Sequence, residues 1–320
     1  MTARITAALL LVVAAIASAT SAAGADKLRV GKAVATSFPM AILDLGAARG
    51  IFARYGIEVA ITAFTGDAKL QQAFAADAID IGLGSGPAMA FELKGAPTIT
   101  VAAFAGPPYT ISVAVLPDSP IKMVADLKGK LLAISTTGSL TEWLTKRLSV
   151  REGWGPDGIR MLALGAGAAM NGALLTKQVD AMMTGTENAF RLAALGQARI
   201  VTGMESFAPD FMTHVIFARK DLVASNPGLV ERFLKGFFAS LRFAQANKDA
   251  TVAALAPLLN EKPSLLGQIY DRERPMLIDD GHFDPKAVAV LKDSFVAMGI
   301  LAQKPSDDQL FTTRFVPVKP

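Results

Sequence analysis

Two short segments, one hundred residues apart in the chain, combine small residues with hydrogen-bonding groups. The first, residues 84–87, is Gly-Ser-Gly-Pro, and the second, residues 184–187, is Thr-Gly-Thr-Glu. Hydroxyl groups, a carboxylate and backbone N–H groups left open by glycine hold small ligands by hydrogen bonds. The first segment lacks the Gly-x-Ser-x-Gly spacing of a nucleophile elbow. The chemistry that these segments favour is therefore ligand binding.

Both segments lie where an apolar strand pattern ends and a helical pattern begins. Strand and helix patterns alternate along residues 28–104 and again along residues 131–183, which predicts an α/β fold with parallel strands and crossover helices. Residues 66–85 align without gaps on residues 166–185, so we expect two halves with one structure. Ligands bind such sheets at the carboxyl ends of the strands, and a cleft walled by both halves is expected.

The junctions between strands and helices supply the candidate ligand-binding residues. They are Ser37, Phe38, Gly66, Asp67, Gly84, Ser85, Thr137, Gly138, Gly167, Thr184 and Glu187. Ser37 and Phe38 either contact ligand, through a hydrogen bond and a stacked ring, or serve as a helix cap and a core side chain. Ser85 either caps its helix or contacts ligand. The glycines let a ligand approach the backbone N–H groups at a helix start.

Glu187 has two alternative roles. With Thr184 it matches a Thr-x-x-Glu capping box, in which it satisfies the start of its own helix. If it points into the cleft instead, its charge repels an anion and favours an amine, an amidine or an aminopyrimidine. The helix N-termini favour the opposite ligand, because their partial positive charge attracts an anion. No Arg lies in the junction segments, and we expect a small organic anion or a zwitterion.

Five motifs, taken in order along the chain, resemble one known family. They are GIFARYGIEV at residues 50–59, AIDIG at 78–82, SPIKMVADLKGK at 119–130, QVDA at 178–181 and NPGLVERFL at 226–234. The set is similar to the solute-binding proteins of ABC importers, in the branch that takes up sulfonates, taurine, nitrate or the pyrimidine precursor of thiamine. The resemblance implies a two-lobed periplasmic-binding-protein fold of type II, with two βα lobes joined by two crossover strands.

The resemblance also implies domain limits and partners. Lobe one would hold residues 26–105 and 215–320, and lobe two residues 106–214. We expect a monomer that captures a small molecule between its lobes, closes by hinge motion and delivers the ligand to a membrane permease. The alternatives are a binder of a thiamine-pyrimidine or other heteroaromatic precursor, a sensor lobe that reports to a membrane kinase, and a secreted enzyme on the same fold.

The N-terminus predicts export to the periplasm. Arg4 precedes an apolar stretch over residues 5–17, and small residues occupy positions 23–25, so residues 1–25 are interpreted as a cleaved signal peptide. The apolar stretch is shorter than a membrane-spanning helix requires, which makes an uncleaved anchor the weaker alternative.

Composition excludes several function classes. The net charge of +4 arises from 32 basic and 28 acidic residues without a basic run, which argues against a nucleic-acid partner. Because the chain has no cysteine, it has no thiol nucleophile, disulfide or Cys-based metal site. His214 and His282 do not stand at metal-ligand spacing, and we expect His214 to be a hydrogen-bonded structural residue. We expect no cofactor and no metal.

Overall fold

The computed structural model describes residues 25–319. The signal peptide predicted over residues 1–25 therefore lies outside the described residues, apart from Ala25. Within the described part of the chain, no helix combines the length and the apolar character that a membrane crossing needs.

The described residues form ten strands and twelve α-helices, joined by loops and short 3-10 turns. The strands are β1 (Asp26–Lys32), β2 (Ile57–Ala63), β3 (Ile81–Ser85), β4 (Thr98–Ala105), β5 (Ile111–Val115), β6 (Leu131–Ile134), β7 (Arg160–Ala163), β8 (Ala181–Gly185), β9 (Arg199–Gly203) and β10 (His214–Arg219). The helices are α1 (Phe38–Ala48), α2 (Asp67–Ala75), α3 (Ala90–Leu93), α4 (Leu140–Arg151), α5 (Ala168–Leu175), α6 (Thr186–Ala194), α7 (Lys220–Ser225), α8 (Pro227–Ala246), α9 (Lys248–Leu259), α10 (Pro263–Glu273), α11 (Pro285–Ala297) and α12 (Asp307–Leu310).

The strands form two five-stranded sheets with the same arrangement. The first has the order β2-β1-β3-β10-β4 and the second the order β7-β6-β8-β5-β9. In both sheets the first three strands of the order are parallel, and the fourth runs antiparallel to its neighbours. The two-lobed α/β fold and its internal repeat are confirmed. Each sheet is mixed rather than purely parallel, because a strand that arrives from the other sheet, β10 or β5, inserts next to β3 or β8.

We call the part of the molecule built on the first sheet lobe one, and the part built on the second sheet lobe two. The chain leaves the first sheet after Ala105 and returns to it at His214, so residues 106–110 and 204–213 cross between the sheets. The crossing segments are tied together, because the Thr213 N–H donates to the carbonyls of Ala105 (2.9 Å) and Gly106 (3.1 Å).

In each sheet an aspartate of the AIDIG or QVDA motif accepts a hydrogen bond from a backbone N–H of the neighbouring strand. Asp80 accepts the Arg29 N–H of β1 at 2.9 Å, and Asp180 accepts the Leu131 N–H of β6 at 2.8 Å. The C-terminal helices α8 and α9 pack on α1 and extend the core of lobe one. Helix α8 begins at Pro227, and the side chain of its N-cap, Asn226, accepts the Leu229 N–H at 3.2 Å. The aspartate contacts join neighbouring strands near their amino ends, and the helices cover one side of lobe one.

Candidate functional site

A narrow cavity of about 50 Å³ lies between the lobes, and we call it the interlobe cavity. Its walls come from the strand-to-helix junctions of both sheets. They are formed by Ala33, Val34, Ser37, Met40, Gly66, Asp67, Ser85, Thr110, Ile111, Ser135, Leu140, Thr141, Ala166, Met170, Met183, Thr184, Gly185, Glu187 and His214. Among the described residues that line it, two are carboxylic acids and none is Lys or Arg. The polar part of this wall is therefore acidic and hydroxyl-bearing.

Four buried atoms on this wall have no hydrogen-bond partner within residues 25–319, and we call them the open polar groups. They are Ser37 Oγ, Glu187 Oε2, His214 Nδ1 and His214 Nε2. Their side chains are 3–5% exposed, so bulk water does not satisfy them. Buried polar atoms in proteins almost always have a partner, and each exception needs an explanation. A ligand that fills the cavity would supply these partners.

Glu187 does not cap its own helix. Helix α6 begins at Thr186 with Gly185 as its N-cap, so Glu187 is only the second helical residue and the predicted capping box is wrong. Its side chain lies over Gly185, where an added Cβ would come within 2.5 Å of Glu187 Oε1. Burial raises the pKa of Glu187 to about 8; the backbone N–H of Glu187 and the charge of Arg191 oppose the rise, and Glu261 adds to it. Glycine at position 185 thus makes room for this carboxyl group beside the cavity.

A second buried acid, Glu273 at the end of α10, lies behind this part of the wall. It is fully buried, and neither carboxyl oxygen has a partner among residues 25–319. Burial raises its pKa well above the usual range, and the charge of Glu187 adds to that rise. The nearby arginines have other partners, Arg191 with Glu261 at 2.7 Å and Arg272 with Glu205 at 3.0 Å. A cation or a hydrogen-bond donor in the cavity would therefore be favoured on this side.

His214 lies on the other side of the cavity, on β10 opposite Ser85. Its ring stacks on Phe104 with 5.4 Å between ring centroids. Burial lowers the pKa of His214 to about 3, with a weak opposing effect of the Gly84 backbone, so the imidazole is neutral at physiological pH. The neutral ring lines the cavity with one acceptor and one N–H donor, and the hydrogen-bonded structural role expected for it stays a prediction.

Asp67, in contrast, is fully engaged. Its Oδ1 accepts the Ser85 N–H at 2.9 Å, and its Oδ2 accepts the Ser85 hydroxyl at 2.8 Å and the Leu140 N–H at 3.4 Å. Burial raises the pKa of Asp67, and the hydrogen bonds from Ser85 and Leu140 counter that rise. Asp67 belongs to lobe one and Leu140 to lobe two, so this carboxylate joins the lobes at the edge of the cavity.

Six of the eleven candidate residues line the interlobe cavity: Ser37, Gly66, Asp67, Ser85, Thr184 and Glu187. Ser37 is the N-cap of α1, but its hydroxyl makes no capping bond and lies on the cavity wall. Thr184 accepts a hydrogen bond from Asn188 Nδ2 at 3.0 Å. An added Cβ at Gly66 would lie 2.6 Å from Thr136 Oγ1, so glycine there allows lobe two to approach.

Two of the other five candidates belong to the interior of lobe one. Phe38 is fully buried and meets Tyr270 edge-on, with 5.6 Å between ring centroids, so it is a core side chain. Gly84 packs under the Phe217 ring, where an added Cβ would come within 2.8 Å.

The remaining three candidates belong to lobe two and lie beside the cavity without lining it. Thr137 borders a separate surface groove. Gly138 faces the Phe91 ring of lobe one, 2.6 Å from where its Cβ would be. Gly167 has open space around it among the described residues, and its neighbour Ala166 contacts lobe one through an N–H bond to the Thr65 carbonyl at 3.0 Å.

Sequence reasoning missed several cavity residues. Thr110, Ser135 and Thr141 contribute buried polar side chains, and Met40, Met170 and Met183 contribute apolar ones. A histidine inside an apolar strand was a visible signal for His214, but its place next to Ser85 depends on the insertion of β10 between β3 and β4. Within residues 25–319, no group of three or more His, Asp or Glu side chains is arranged to hold a metal ion.

Comparison with known proteins places the chain in a family. A family model described as "NMT1/THI5 like" matches residues 39–251. A Brucella abortus relative, named as a binding protein without a stated ligand, is 24% identical over 246 residues, which is 75% of this chain and 74% of the relative.

Solved structures show the same fold at low sequence identity. The alkanesulfonate-binding protein SsuA from Xanthomonas axonopodis pv. citri, bound to MOPS, has a TM-score of 0.75 at 19% identity and covers 91% of this chain and 96% of its own. A ligand-binding component of an ABC-type import system from Staphylococcus aureus, with zinc bound, has a TM-score of 0.75 at 13% identity, covering 91% and 97%. An enzyme shares the fold as well: the desulfurization enzyme DSZB, with a TM-score of 0.61 at 18% identity, covering 91% and 97%. The matched span covers most of the described residues, and the chain belongs to the NMT1/THI5-like family, on the two-lobed fold of periplasmic binding proteins.

Proposed function

We propose that this protein is the periplasmic ligand-binding component of an ABC importer, and that its ligand is a small molecule with an amine, amidine or aminopyrimidine group. The observation that carries the ligand class is the buried Glu187 carboxyl group on the wall of the interlobe cavity, whose Oε2 is one of the open polar groups. A cationic donor beside Glu187 would lower its raised pKa and favour the ionised form, which accepts hydrogen bonds from the ligand.

The other open polar groups fit the same ligand class. Neutral His214 offers one donor and one acceptor, and the Ser37 hydroxyl offers both. An amidine-type N–C–N edge carries donors that pair with a carboxylate in a two-point contact, and an aminopyrimidine adds ring nitrogens that accept hydrogen bonds. A heteroaromatic ring also suits the methionine side chains on the wall, Met40, Met170 and Met183.

A sulfonate or nitrate fits this wall poorly, and the anion expected from the sequence is therefore the weaker candidate. The Asp67 carboxylate would repel it, Glu187 could not ionise beside it, and the described lining offers no basic side chain in compensation. A zwitterion is compatible only if its cationic end meets Glu187.

Export, import and the absence of chemical conversion are parts of the same proposal. The signal peptide predicted over residues 1–25 supports the periplasm. The named role of the Staphylococcus aureus structure supports delivery to a membrane permease. Because DSZB shows that the fold can carry catalysis, binding without conversion is checked by recovering the ligand unchanged after incubation with the protein.

The test is a thermal-shift panel on residues 26–320. Acetamidine, ethylamine and 4-amino-2-methylpyrimidine are compared with ethanesulfonate, taurine and nitrate. At a hundredfold excess over its Kd a ligand stabilises the protein by about 2.7 kcal/mol, which a melting curve resolves. We expect stabilisation by members of the first group and its loss in Glu187→Gln. Stabilisation by the anions alone, or equal shifts in Glu187→Gln and wild type, would contradict the proposed ligand class.

A further inference from the structure

The strongest observation outside the open polar groups is the carboxylate of Asp67, which already occupies a place suited to an anion. It lies at the start of α4, a helix of 12 residues in the opposite lobe, and accepts the N–H of Leu140, the first residue of that helix. The end of β3 supplies two further donors, the N–H and the hydroxyl of Ser85. Asp67 is only 4% exposed, so protein donors rather than bulk water solvate its charge.

The donors around Asp67 favour the charged form of the carboxyl group and counter the effect of burial, which raises its pKa. The two backbone N–H groups can only donate, and a donor bonded to each carboxyl oxygen stabilises the anion. The partial positive charge at the N-terminus of α4 acts in the same direction. A free anion at this place would meet the same donors, so Asp67 and an anionic ligand compete for one location.

The surrounding contacts cross from one lobe to the other. The Ala68 N–H donates to Thr136 Oγ1 at 3.3 Å, and the Ala166 N–H donates to the Thr65 carbonyl at 3.0 Å. Together with the Asp67–Leu140 contact they bring the start of α2 against lobe two. The carboxylate thus binds to lobe two where a ligand anion would otherwise bridge the lobes.

We propose that Asp67 is a specificity-determining residue, an internal anion that fills the place of a ligand anion between the lobes and so excludes sulfonates and similar ligands. This inference rests on the proposed function, because it describes how the same cavity discriminates between ligand classes. Two anions held this close in a buried site repel each other, and the internal one is covalently attached and therefore always present.

The test asks whether removing the carboxylate creates an anion site. In Asp67→Ala the N–H groups of Ser85 and Leu140 lose their acceptor, and we expect ethanesulfonate to bind with a Kd lower than that of wild type by roughly tenfold or more, the worth of one charge-assisted hydrogen bond. Isothermal titration calorimetry at low ionic strength measures the change. Asp67→Asn keeps the side-chain volume and removes the charge, and we expect a smaller gain in the same direction.

Two controls identify the donors. Ser85→Ala keeps both the Asp67 carboxylate and the backbone N–H groups, so it should gain no ethanesulfonate affinity. Leu140→Pro, added to Asp67→Ala, removes the N–H at the first helical position, where proline is tolerated, and should abolish the gain. The preceding residue, Ser139, has φ −92° and ψ 171°, which is compatible with a following proline.

The inference would be overturned if the folded Asp67→Ala and Asp67→Asn variants bound ethanesulfonate no more tightly than the wild-type protein does. Circular dichroism and a cooperative melting curve establish folding, and the Asn variant serves if the Ala variant does not fold. No amine or amidine ligand takes part in these measurements. A failure of the proposed ligand class therefore appears in the wild-type panel and a failure of this inference in the Asp67 series.

Discussion

Strands β3 and β8 occupy the same position in their sheets, and each ends beside a carboxyl group, Asp67 in lobe one and Glu187 in lobe two. The two carboxyl groups differ in their hydrogen bonding. In lobe one, Ser85 at the end of β3 and Asp67 at the start of α2 satisfy each other. In lobe two the corresponding places are Gly185 at the end of β8 and Ala168 at the start of α5, which carry no polar side chain. Glu187 fills the space beside Gly185 instead, and its Oε2 is an open polar group. The carboxyl group of lobe one is thus hydrogen-bonded within the protein, whereas that of lobe two has an oxygen atom free to bind a ligand.

The largest expected effect is a pH dependence that comes from the open carboxyl group of lobe two. Folding raises the pKa of Glu187 from 4.5 to about 8, so the folded protein holds this proton more tightly than the unfolded chain. Its contribution to stability is complete below pH 4.5 and is lost as the pH rises through 8, by on the order of 4 kcal/mol in total. Urea unfolding of ligand-free protein at pH 5, 7 and 9 measures this loss.

Glu187→Gln is the control for that pH dependence. We expect a flatter profile between pH 5 and 9, because the variant cannot ionise. Part of the slope should remain, since the pKa of Glu273 is also raised. His214 titrates with the opposite sign and at lower pH, because folding lowers its pKa from 6.5 to about 3. A variant profile as steep as that of wild type would remove Glu187 from the explanation.

The second effect is on affinity. Glu187→Gln should weaken binding of an amidine or aminopyrimidine ligand by roughly a hundredfold, because a charge-assisted two-point contact is lost. Ser85→Ala, the matched change in lobe one, should weaken it by less than about tenfold, since the Ser85 hydroxyl is bonded to Asp67. Titration calorimetry gives both constants. The difference between the lobes would not stand if the two variants lost affinity equally.

The third effect is on the free energy of unfolding, and here the larger loss is expected for the change in lobe one. Asp67→Ala leaves the N–H groups of Ser85 and Leu140 without their acceptor and should lower the free energy of unfolding by about 2 kcal/mol at pH 7. Glu187→Gln should leave the free energy of unfolding of the ligand-free protein unchanged or raise it at that pH. Burial disfavours the charged form of Glu187, and glutamine does not ionise. Urea unfolding compares them, and a larger cost for Glu187→Gln would reverse the assignment.

The smallest effects come from the glycines that precede α2 and α5. Both have positive φ, 145° for Gly66 and 99° for Gly167, so either change to Ala should cost about 1 kcal/mol of stability. Only Gly66→Ala should also weaken ligand binding, because its Cβ would lie 2.6 Å from Thr136 Oγ1 of lobe two. Equal affinities in the two variants would show that the lobes do not meet at Gly66 in the bound state.

The sequence specified the repeat and most elements, because local patterns encode them. The alignment of residues 66–85 on 166–185 pairs Asp80 with Asp180, and the structure gives both one role, the acceptor for an N–H of β1 and of β6. What local patterns do not encode is which strand inserts into which sheet. The positions of β5 and β10, and with them the place of His214, depend on pairing across more than one hundred residues.

The candidate site was predicted less completely than the fold, for two physical reasons. The capping box considered for Glu187 requires Thr184 as the N-cap, but β8 continues to Gly185, which is the N-cap in the structure, one residue later. Phe38 was considered for ligand stacking because it follows a strand end, yet the C-terminal helix α10 brings Tyr270 over it and encloses it in the core. Both outcomes depend on tertiary packing that a single junction segment does not reveal.

The hydrogen bonds from the Thr213 N–H to Ala105 and Gly106 place the two crossing segments side by side. We expect the lobes, joined there, to rotate mainly about one axis. The separation of Thr65 from Ala166, which are hydrogen-bonded across the lobes at 3.0 Å, should then report the opening. One pair of spectroscopic labels at these two positions would therefore be enough to count how many molecules are shut at any ligand concentration.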